Sequence, residues 1–226
     1  MRFRDRREAG RMLAARLIEY ANRPDVIVLA LPRGGVPVAY EIAEVIGAPL
    51  DVFLVRKLGA PGHDKLAMGA IATGGARVLN EDVVRYLDIS DETIEAVAEQ
   101  ERRELERSEH LYRDERPARD IVGRAIILVD DGLASGSAMR AAGAAVREHR
   151  PAQVVVAVPV ASRVICESFK NSADGIVCVC GMALDPFYAV SLWYDDFTPT
   201  TDEEVRELLE RSERREASRA RHSDCA

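Results

Sequence analysis

Short runs of consecutive apolar residues alternate along the chain with segments whose apolar residues recur at helical spacing. The apolar runs cover residues 26–31, 125–129, 154–161 and 176–180. Runs of this length are typical of strands that are buried on both faces. Segments such as 36–46 and 163–170 have helical patterns instead. The alternation predicts an α/β fold in which helices flank an open, mainly parallel, twisted sheet.

Three further segments carry predictions of their own. Residues 5–21 have apolar side chains at helical spacing and are expected to form an amphipathic helix that opens the fold. Residues 51–58 are predicted to be another strand. After a polar, glycine-rich loop, two short apolar segments flank the sequence TGG at residues 73–75, which predicts a β-hairpin.

Two charged regions interrupt or end this pattern. Between residues 81 and 116 a narrow apolar stripe runs through many Glu and Arg residues, with Ser90 as a helix N-cap. We expect a solvated helical insertion there, and a contact with a second copy of the chain is the alternative. Residues 212–226 are charged and small, and are expected to form a frayed helix followed by a disordered tail. Residues 1–211 are then expected to form a single domain.

Composition narrows the class of protein further. The chain has 226 residues and is 47% hydrophobic, which is enough for one substantial core. Its net charge of -7 argues against a nucleic-acid partner. The apolar runs are too short to span a membrane, and the N-terminal residues lack the apolar segment of a secretion signal. We therefore expect a cytoplasmic protein without a membrane partner.

The segment AIILVDDGLASGSAM, at residues 125–139, carries the most informative chemical pattern. An apolar strand ends at Asp130 and Asp131, and a loop of small and hydroxyl-bearing residues then leads into a helix. Unpaired N–H groups in such a loop and in the first helical turn attract anions, and serine hydroxyls add donors. Two neighbouring acids can accept hydrogen bonds from sugar hydroxyls. This order of groups predicts a site for a sugar phosphate.

The sequence VDDGLASGSAM resembles the signature with which type I phosphoribosyltransferases bind phosphoribosyl pyrophosphate (PRPP). The resemblance implies that Asp130 and Asp131 bind the ribose 2- and 3-hydroxyls and that the following loop holds the 5-phosphate. The loop residues expected to bind substrate are Gly132, Leu133, Ala134, Ser135, Gly136, Ser137 and Ala138. Family members often have threonines in this loop. Some also carry an acid, the suspected general base, where this chain has Ala134.

A second loop resembles the family's pyrophosphate-binding loop. The sequence PRGG at residues 32–35 follows the first strand, at the sheet edge where open α/β sheets bind ligands. Glycine lets the backbone approach an anion closely, and arginine binds one. Arg33, Gly34 and Gly35 are therefore expected to contact the pyrophosphate, and a plain turn with a surface arginine is the alternative.

The resemblance also implies a mobile flap that closes over the site and shields the reaction from water. It comprises the glycine-rich loop and the hairpin after it. The cationic candidates for binding pyrophosphate are Arg56, Lys57, His63 and Lys65. Arg56 and Lys57 are favoured because they end a strand, whereas His63 and Lys65 are equally consistent with a plain surface loop.

Residues 181–203 are expected to form a small C-terminal hood, an element that covers the nucleobase in the resembled family. The segment contains the chain's one tryptophan within an aromatic cluster. Phe187 or Tyr188 is the candidate to stack on a base, Val190 to contact it through the backbone, and Asp195 to serve as a base-side or metal-side acid. Core packing beneath a loop is the alternative explanation of the aromatic residues.

These resemblances imply an enzyme that transfers ribose 5-phosphate from PRPP to a nucleobase or related heterocycle and releases pyrophosphate. The expected catalytic residues are Arg33, Lys57, Asp130 and Asp131. Mg²⁺ is the expected cofactor, held by Asp130 and Asp131 mostly through substrate and water. A homodimer is a further option. The alternative function is that of a sensor protein that binds PRPP or a nucleotide with weak or lost turnover.

Overall fold

A computed structural model of the chain describes residues 2–114, 116–170 and 177–223. Its strands are β1 (Val26–Ala30), β2 (Leu50–Val52), β3 (Val55–Ala60), β4 (His63–Ala72), β5 (Arg77–Leu79), β6 (Ala125–Val129), β7 (Gln153–Ser162) and β8 (Val177–Leu184). Its α-helices are α1 (Arg6–Ala14), α2 (Gly35–Ile46), α3 (Glu81–Tyr86), α4 (Asp91–Arg113), α5 (Ser137–Glu148), α6 (Arg163–Lys170) and α7 (Asp202–Ser223). Short 3₁₀ segments lie at Ala15–Tyr20, Thr73–Gly75 and Val190–Trp193. Among the described residues, no helix combines the length and the apolar character needed to cross a bilayer.

Five strands form the main sheet, in the order β2-β1-β6-β7-β8, and all neighbours are parallel. Successive residues of a strand face opposite sides, so each central strand contributes to two cores. In β1, Val26 and Val28 face the core that contains α1, α2 and α7, whereas Ile27 and Leu29 face the core that contains α5 and α6. The predicted α/β architecture is confirmed.

The order of the strands places a switch point between β1 and β6. The chain leaves β1 through α2 and returns on one side as β2, and it leaves β6 through α5 and returns on the other side as β7. The loops after β1 and β6 therefore diverge at the carboxyl edge of the sheet. Ligands of open α/β sheets bind in the crevice that such a divergence leaves.

The predicted strand over residues 51–58 is wrong, because two strands of different sheets occupy this segment. β2 ends at Val52, and β3 begins a three-stranded antiparallel sheet in the order β3-β4-β5. The split occurs where the backbone turns to pair with the hairpin: the Leu54 N–H donates to Thr73 Oγ1, and the Thr73 N–H donates to the Leu54 carbonyl. The predicted hairpin around residues 73–75 is confirmed, whereas much of the predicted loop at 59–65 is strand.

The charged insertion consists of α3 and α4, as predicted, and Ser90 caps α4. The apolar stripe of α4 packs within the chain. Ile94, Ala98 and Leu105 are buried in the core that also contains residues of β3 and α7. The Tyr112 hydroxyl donates to Asp202 Oδ1 at 2.6 Å. The stripe is thus covered by the chain's own small sheet and its last helix.

The predicted disordered tail is wrong for residues 212–223, which continue α7. Val205, Leu208, Leu209 and Ser212 are buried at helical spacing, so the buried face of α7 ends at Ser212. Arg215 pairs with Glu44 on α2 at 2.5 Å. Glu213, Arg214 and Glu216 are also held in ion pairs, so part of the high charge that suggested disorder has partners within the chain. Residues 224–226 lie outside the described part of the chain.

Candidate active site

Asp130 and Asp131 follow β6 directly, at the carboxyl edge of the main sheet. The Asp131 N–H donates to Asp130 Oδ1 at 2.8 Å, so the two acids are held against each other. Burial raises the pKa of both carboxyls, and the charge of Asp131 adds to the increase at Asp130. The guanidinium of Arg6 opposes the rise in both pKa values. The predicted position of the acid pair at the end of a buried strand is confirmed.

The loop after the acids leads into α5 through Gly136, which caps the helix with φ of 69°. Left-handed backbone of this kind favours glycine. The hydroxyls of Ser135 and Ser137 lie 3.0 Å apart, and both side chains are exposed. A small-residue loop, two hydroxyls and a helix N-terminus are therefore assembled as the sequence predicted.

One predicted loop residue does not fit the expected role. Leu133 is buried, its N–H donates to the Val160 carbonyl at 2.9 Å, and its own carbonyl accepts from the Ser162 N–H. The pairing ties the loop to β7, so the Leu133 N–H is not available to a phosphate. For Ala134, Ser135 and Gly136, in contrast, the N–H groups have no partner among the described residues. The candidate anion cradle beyond Leu133 is therefore the segment from Ala134 to Gly136.

Arg140, on the first turn of α5, is a loop neighbour that the sequence analysis missed. Its guanidinium donates to the Ser135 carbonyl at 3.2 Å and to Ser168 Oγ at 2.8 Å. It also lies over the Phe169 ring, 5.0 Å from the centroid. Arg140 fixes the loop from one side and adds positive charge beside it. A cation three residues into a helix gave no signal in the sequence, because surface helices commonly carry arginine.

The loop after β1 contacts the acid pair through glycines. A Cβ at Gly34 would lie 2.2 Å from Asp131 Oδ2, and one at Gly35 would lie 2.7 Å from the Val129 carbonyl. Only residues without a side chain fit such an approach. The two glycines therefore allow the loop after β1 to pack against the end of β6. The structure brings together Gly34, Gly35 and Asp131, which the sequence analysis placed in two separate loops.

Arg33 precedes these glycines, and 52% of its side chain is exposed. Its nearest acid is Asp202 at the start of α7, at 3.6 Å, and Tyr112 bonds to the same carboxylate. An exposed, long-range pair of this kind holds an arginine weakly. Arg33, in the loop after β1, is thus only weakly held and remains a candidate for binding an anionic ligand.

The cationic candidates of the flap lie in different surroundings. Arg56 donates to Glu101 on α4 at 2.8 Å, so its guanidinium is held against the helical insertion. Lys57 is exposed, and since it is the next residue of β3 its side chain points to the opposite face. His63 is exposed at the start of β4, and the side chain of Lys65 lies outside the described residues. Of the two candidates on β3, Lys57 is therefore the one that points away from the insertion.

The hood segment lies against the loop of the acid pair. A Cβ at Gly132 would lie 2.7 Å from Val190 Cγ1, so Val190 covers the loop at its first glycine. Phe187 is half-buried against the apolar cluster of Phe3 and Tyr194, whereas Tyr188 is 78% exposed. Of the two aromatic candidates, Tyr188 is therefore free to stack on a ligand.

Among the contacts of the described residues, Asp195 makes none with the acid pair. It is exposed, and its carboxylate pairs with Arg2 at 3.3 Å. Its N–H donates to the Phe3 carbonyl, so the backbone here continues a contact between the N-terminal residues and the hood. Asp195 therefore helps to hold the N-terminal segment against the hood.

Arg6 and Tyr194 are site residues that the sequence analysis did not single out. Arg6 Nε donates to Asp131 Oδ2 at 2.9 Å, and the Tyr194 hydroxyl donates to the Asp131 carbonyl at 2.6 Å. Burial raises the pKa of Tyr194, and the charge of Asp131 adds to the increase. Arg6 and Asp131 are 125 positions apart in the chain, and Tyr194 and Asp131 are 63 positions apart. No local sequence pattern indicates either contact.

The acid pair is not a closed metal cage. Among the described residues, no group of three or more His, Cys, Asp or Glu side chains is arranged to hold a metal ion. Carboxylate oxygens are nevertheless the ligands that Mg²⁺ prefers, and Mg²⁺ commonly uses only one or two of them together with substrate oxygens. The donor set fits a metal that is bound mainly by a phosphorylated ligand.

Comparison with known proteins agrees with this geometry. A family model described as "Phosphoribosyl transferase domain" matches residues 5–180. The chain belongs to the phosphoribosyl transferase domain family. The match includes the loops after β1 and β6, the small antiparallel sheet and the helical insertion, and it ends within β8.

Relatives of this phosphoribosyl transferase domain include two proteins of Mycobacterium tuberculosis, from strains CDC 1551 and H37Rv, that are provisionally named as phosphoribosyl transferases. Each is 44% identical over 212 residues, which cover 94% of this chain and 47% of the relative. The chain thus spans about half the length of the curated relatives it matches.

Two solved structures resemble the domain. TT1426 from Thermus thermophilus has a TM-score of 0.80 and 44% sequence identity, and the alignment covers 92% of this chain and 98% of that chain. The AQ2163 protein from Aquifex aeolicus has a TM-score of 0.51 and 11% identity over 90% of this chain and 84% of that chain. The second likeness concerns the fold alone.

Proposed function

We propose that the chain binds PRPP at the crevice between the loops after β1 and β6 and transfers its ribose 5-phosphate to a nucleobase or related heterocycle. The observation that carries the proposal is the packing of Gly34 against Asp131. It joins a loop with a weakly held arginine to an acid pair that is followed by an anion cradle. PRPP carries a phosphate at one end of the ribose and a pyrophosphate at the other, so it requires two anion-binding loops side by side with hydroxyl acceptors near them.

Each part of PRPP has a matching group. The 5-phosphate accepts from the N–H groups of Ala134 to Gly136 and from the serine hydroxyls, at the N-terminus of α5. The ribose hydroxyls donate to Asp130 and Asp131. The pyrophosphate lies toward Arg33 and Lys57, whose charges stabilise it as it leaves.

The proposed reaction exchanges one bond at the anomeric carbon for another. The bond from that carbon to the pyrophosphate oxygen breaks with its electron pair, and a bond to a ring nitrogen of the acceptor forms. The acceptor's proton passes to solvent, since residue 134 is alanine and the loop from 132 to 138 contains no acid. Catalysis then depends on positioning and electrostatics. Bound Mg²⁺, held by Asp130 and Asp131 and by substrate oxygens, would neutralise charge on the pyrophosphate.

The proposal is tested by pyrophosphate release from PRPP and Mg²⁺ with a panel of purines, pyrimidines and related heterocycles. Release that depends on one acceptor, with formation of the matching nucleotide, is the expected result. An Asp130→Asn variant should lose this release, because one ribose acceptor is removed. No release with any acceptor would contradict the enzymatic function.

A sensor function is the second candidate, and the contact between Arg6 and Asp131 favours it. Asp131 Oδ2 already has a side-chain partner in Arg6, and the loop lacks a general base. Titration calorimetry separates the two functions. Binding of PRPP without product from any acceptor supports the sensor, whereas turnover supports the transferase.

A further inference from the structure

Arg6 is a charged residue in an unusual setting. It is the first residue of α1, and its relative exposure is only 9%. Arginine is seldom buried unless its guanidinium is fully paired. The surroundings of Arg6 therefore indicate what this side chain does.

Three contacts fix the guanidinium of Arg6. Its Nε donates to Asp131 Oδ2 at 2.9 Å, and its Nη1 donates to the Thr198 carbonyl at 2.8 Å. The Phe197 ring lies beneath it, 3.9 Å from the guanidinium carbon to the ring centroid. Two of the three guanidinium nitrogens and one face of the planar group are thus in contact, a geometry that a lysine does not reproduce.

Asp131 is fixed by the same set of residues. Arg6 holds its Oδ2, Gly34 packs against its carboxylate, and Tyr194 donates to its carbonyl at 2.6 Å. Its contacts therefore come from α1, from the loop after β1 and from the hood. With Oδ2 occupied, Oδ1 is the oxygen that remains for a ligand hydroxyl.

We propose that Arg6 is a positioning residue for PRPP, acting through Asp131. It fixes the carboxylate in one orientation and links the start of α1 and the hood to the ribose site. This inference rests on the proposed function, since it assumes that Asp131 binds the ribose. It adds a residue that lies outside both ligand-binding loops.

The test is calorimetric titration with PRPP and Mg²⁺ on five variants, with thermal unfolding measured in parallel. Arg6→Met removes the charge and both hydrogen bonds, and it should weaken binding about 10- to 100-fold. Arg6→Lys keeps the charge but cannot donate to both acceptors from one planar group, so it should bind PRPP more tightly than Arg6→Met and more weakly than the wild type. Arg7→Met is the matched control. Arg7 is the next residue and pairs with Glu41 and Glu204 instead, so its loss should leave binding unchanged.

The double variant Arg6→Met with Asp131→Asn separates positioning from a general structural effect. If Arg6 acts through Asp131, the double variant should bind no more weakly than Asp131→Asn alone. Additive losses would overturn the proposal, as would wild-type affinity in Arg6→Met. If Arg6→Met fails to fold, Arg6→Lys decides: wild-type affinity in it would also overturn the proposal.

The same titration distinguishes this inference from the function on which it rests. A wild-type chain that does not bind PRPP would overturn both. A wild-type chain that binds PRPP, together with an Arg6→Met variant that binds equally well, would overturn the role of Arg6 alone.

Discussion

Replacing Gly34 by alanine adds one methyl group at the closest contact between the two ligand loops. The new Cβ would lie 2.2 Å from Asp131 Oδ2 and 2.8 Å from its Cγ, distances that real Cβ atoms do not show. The backbone at Gly34 has φ of -60° and ψ of -31°, which alanine adopts without strain. The substitution therefore acts through the Asp131 carboxylate, which must move.

The size of the effect follows from what the carboxylate loses. Asp131 Oδ2 accepts a charge-assisted hydrogen bond from Arg6, and a displaced carboxylate cannot keep it. Hydrogen bonds to charged groups contribute about 1.5–3 kcal/mol. If the ribose contact of Asp131 is lost to the same extent, the affinity for PRPP should fall about 10- to 150-fold.

The assay is calorimetric titration of Gly34→Ala with PRPP and Mg²⁺, alongside thermal unfolding. Arg7→Met is again the control, because Arg7 pairs with Glu41 and Glu204 and not with the acid pair. The control should bind PRPP as the wild type does. Equal affinity in Gly34→Ala and the wild type would refute the argument, since the close approach of the two loops would then have no role in binding.

Three further predictions concern stability. Asp51→Asn should lower the free energy of unfolding by about 1.5–3 kcal/mol in urea titration, because it removes the buried carboxylate partner of Arg113 and leaves only the partly exposed Glu109, whereas the exposed Asp82→Asn should change it little. Asp130→Asn should raise the unfolding temperature without ligand. Because burial raises the pKa of Asp130, the wild-type protein loses stability as the pH rises above the unfolded pKa of about 3.9, and asparagine removes this loss. The increase in unfolding temperature in Asp130→Asn should therefore grow from pH 4 to pH 8. An unfolding temperature at pH 8 equal to that of the wild type would contradict this. Deletion of residues 212–226 should lower the unfolding temperature by several degrees, since it removes the buried Ser212 and the ion pairs of Arg215 with Glu44 and of Glu216 with Arg119, and an unchanged value would show that this segment adds no stability.

The parts of the fold that follow from the sequence are those specified by neighbouring residues. The strand, acid pair, loop and helix from 125 to 148 are contiguous, so their order alone indicates an anion site beside two acids. Ser90 and Gly47 begin or end helices by local hydrogen bonding and backbone conformation, and both act as caps. Local chemistry of this kind does not depend on distant residues.

The parts that do not follow from the sequence depend on distant residues. Arg6 and Asp131 are 125 positions apart, and nothing near either residue indicates the other. Leu133 gives its N–H to β7 instead of to a phosphate, because the loop pairs with a strand that comes later in the chain. The charges beyond residue 211 suggest a disordered tail when the sequence is read alone. Arg215 and Glu216 have partners, Glu44 on α2 and Arg119 before β6, that are distant in the chain and become visible only in the fold.

The most direct test of the ribose-phosphate site is a crystal structure of the protein with PRPP and Mg²⁺. We expect the 5-phosphate on the N–H groups of Ala134 to Gly136 and the ribose hydroxyls on Asp130 and Asp131, with the pyrophosphate toward Arg33. A ligand bound elsewhere, or one whose ribose has no contact with either aspartate, would contradict it.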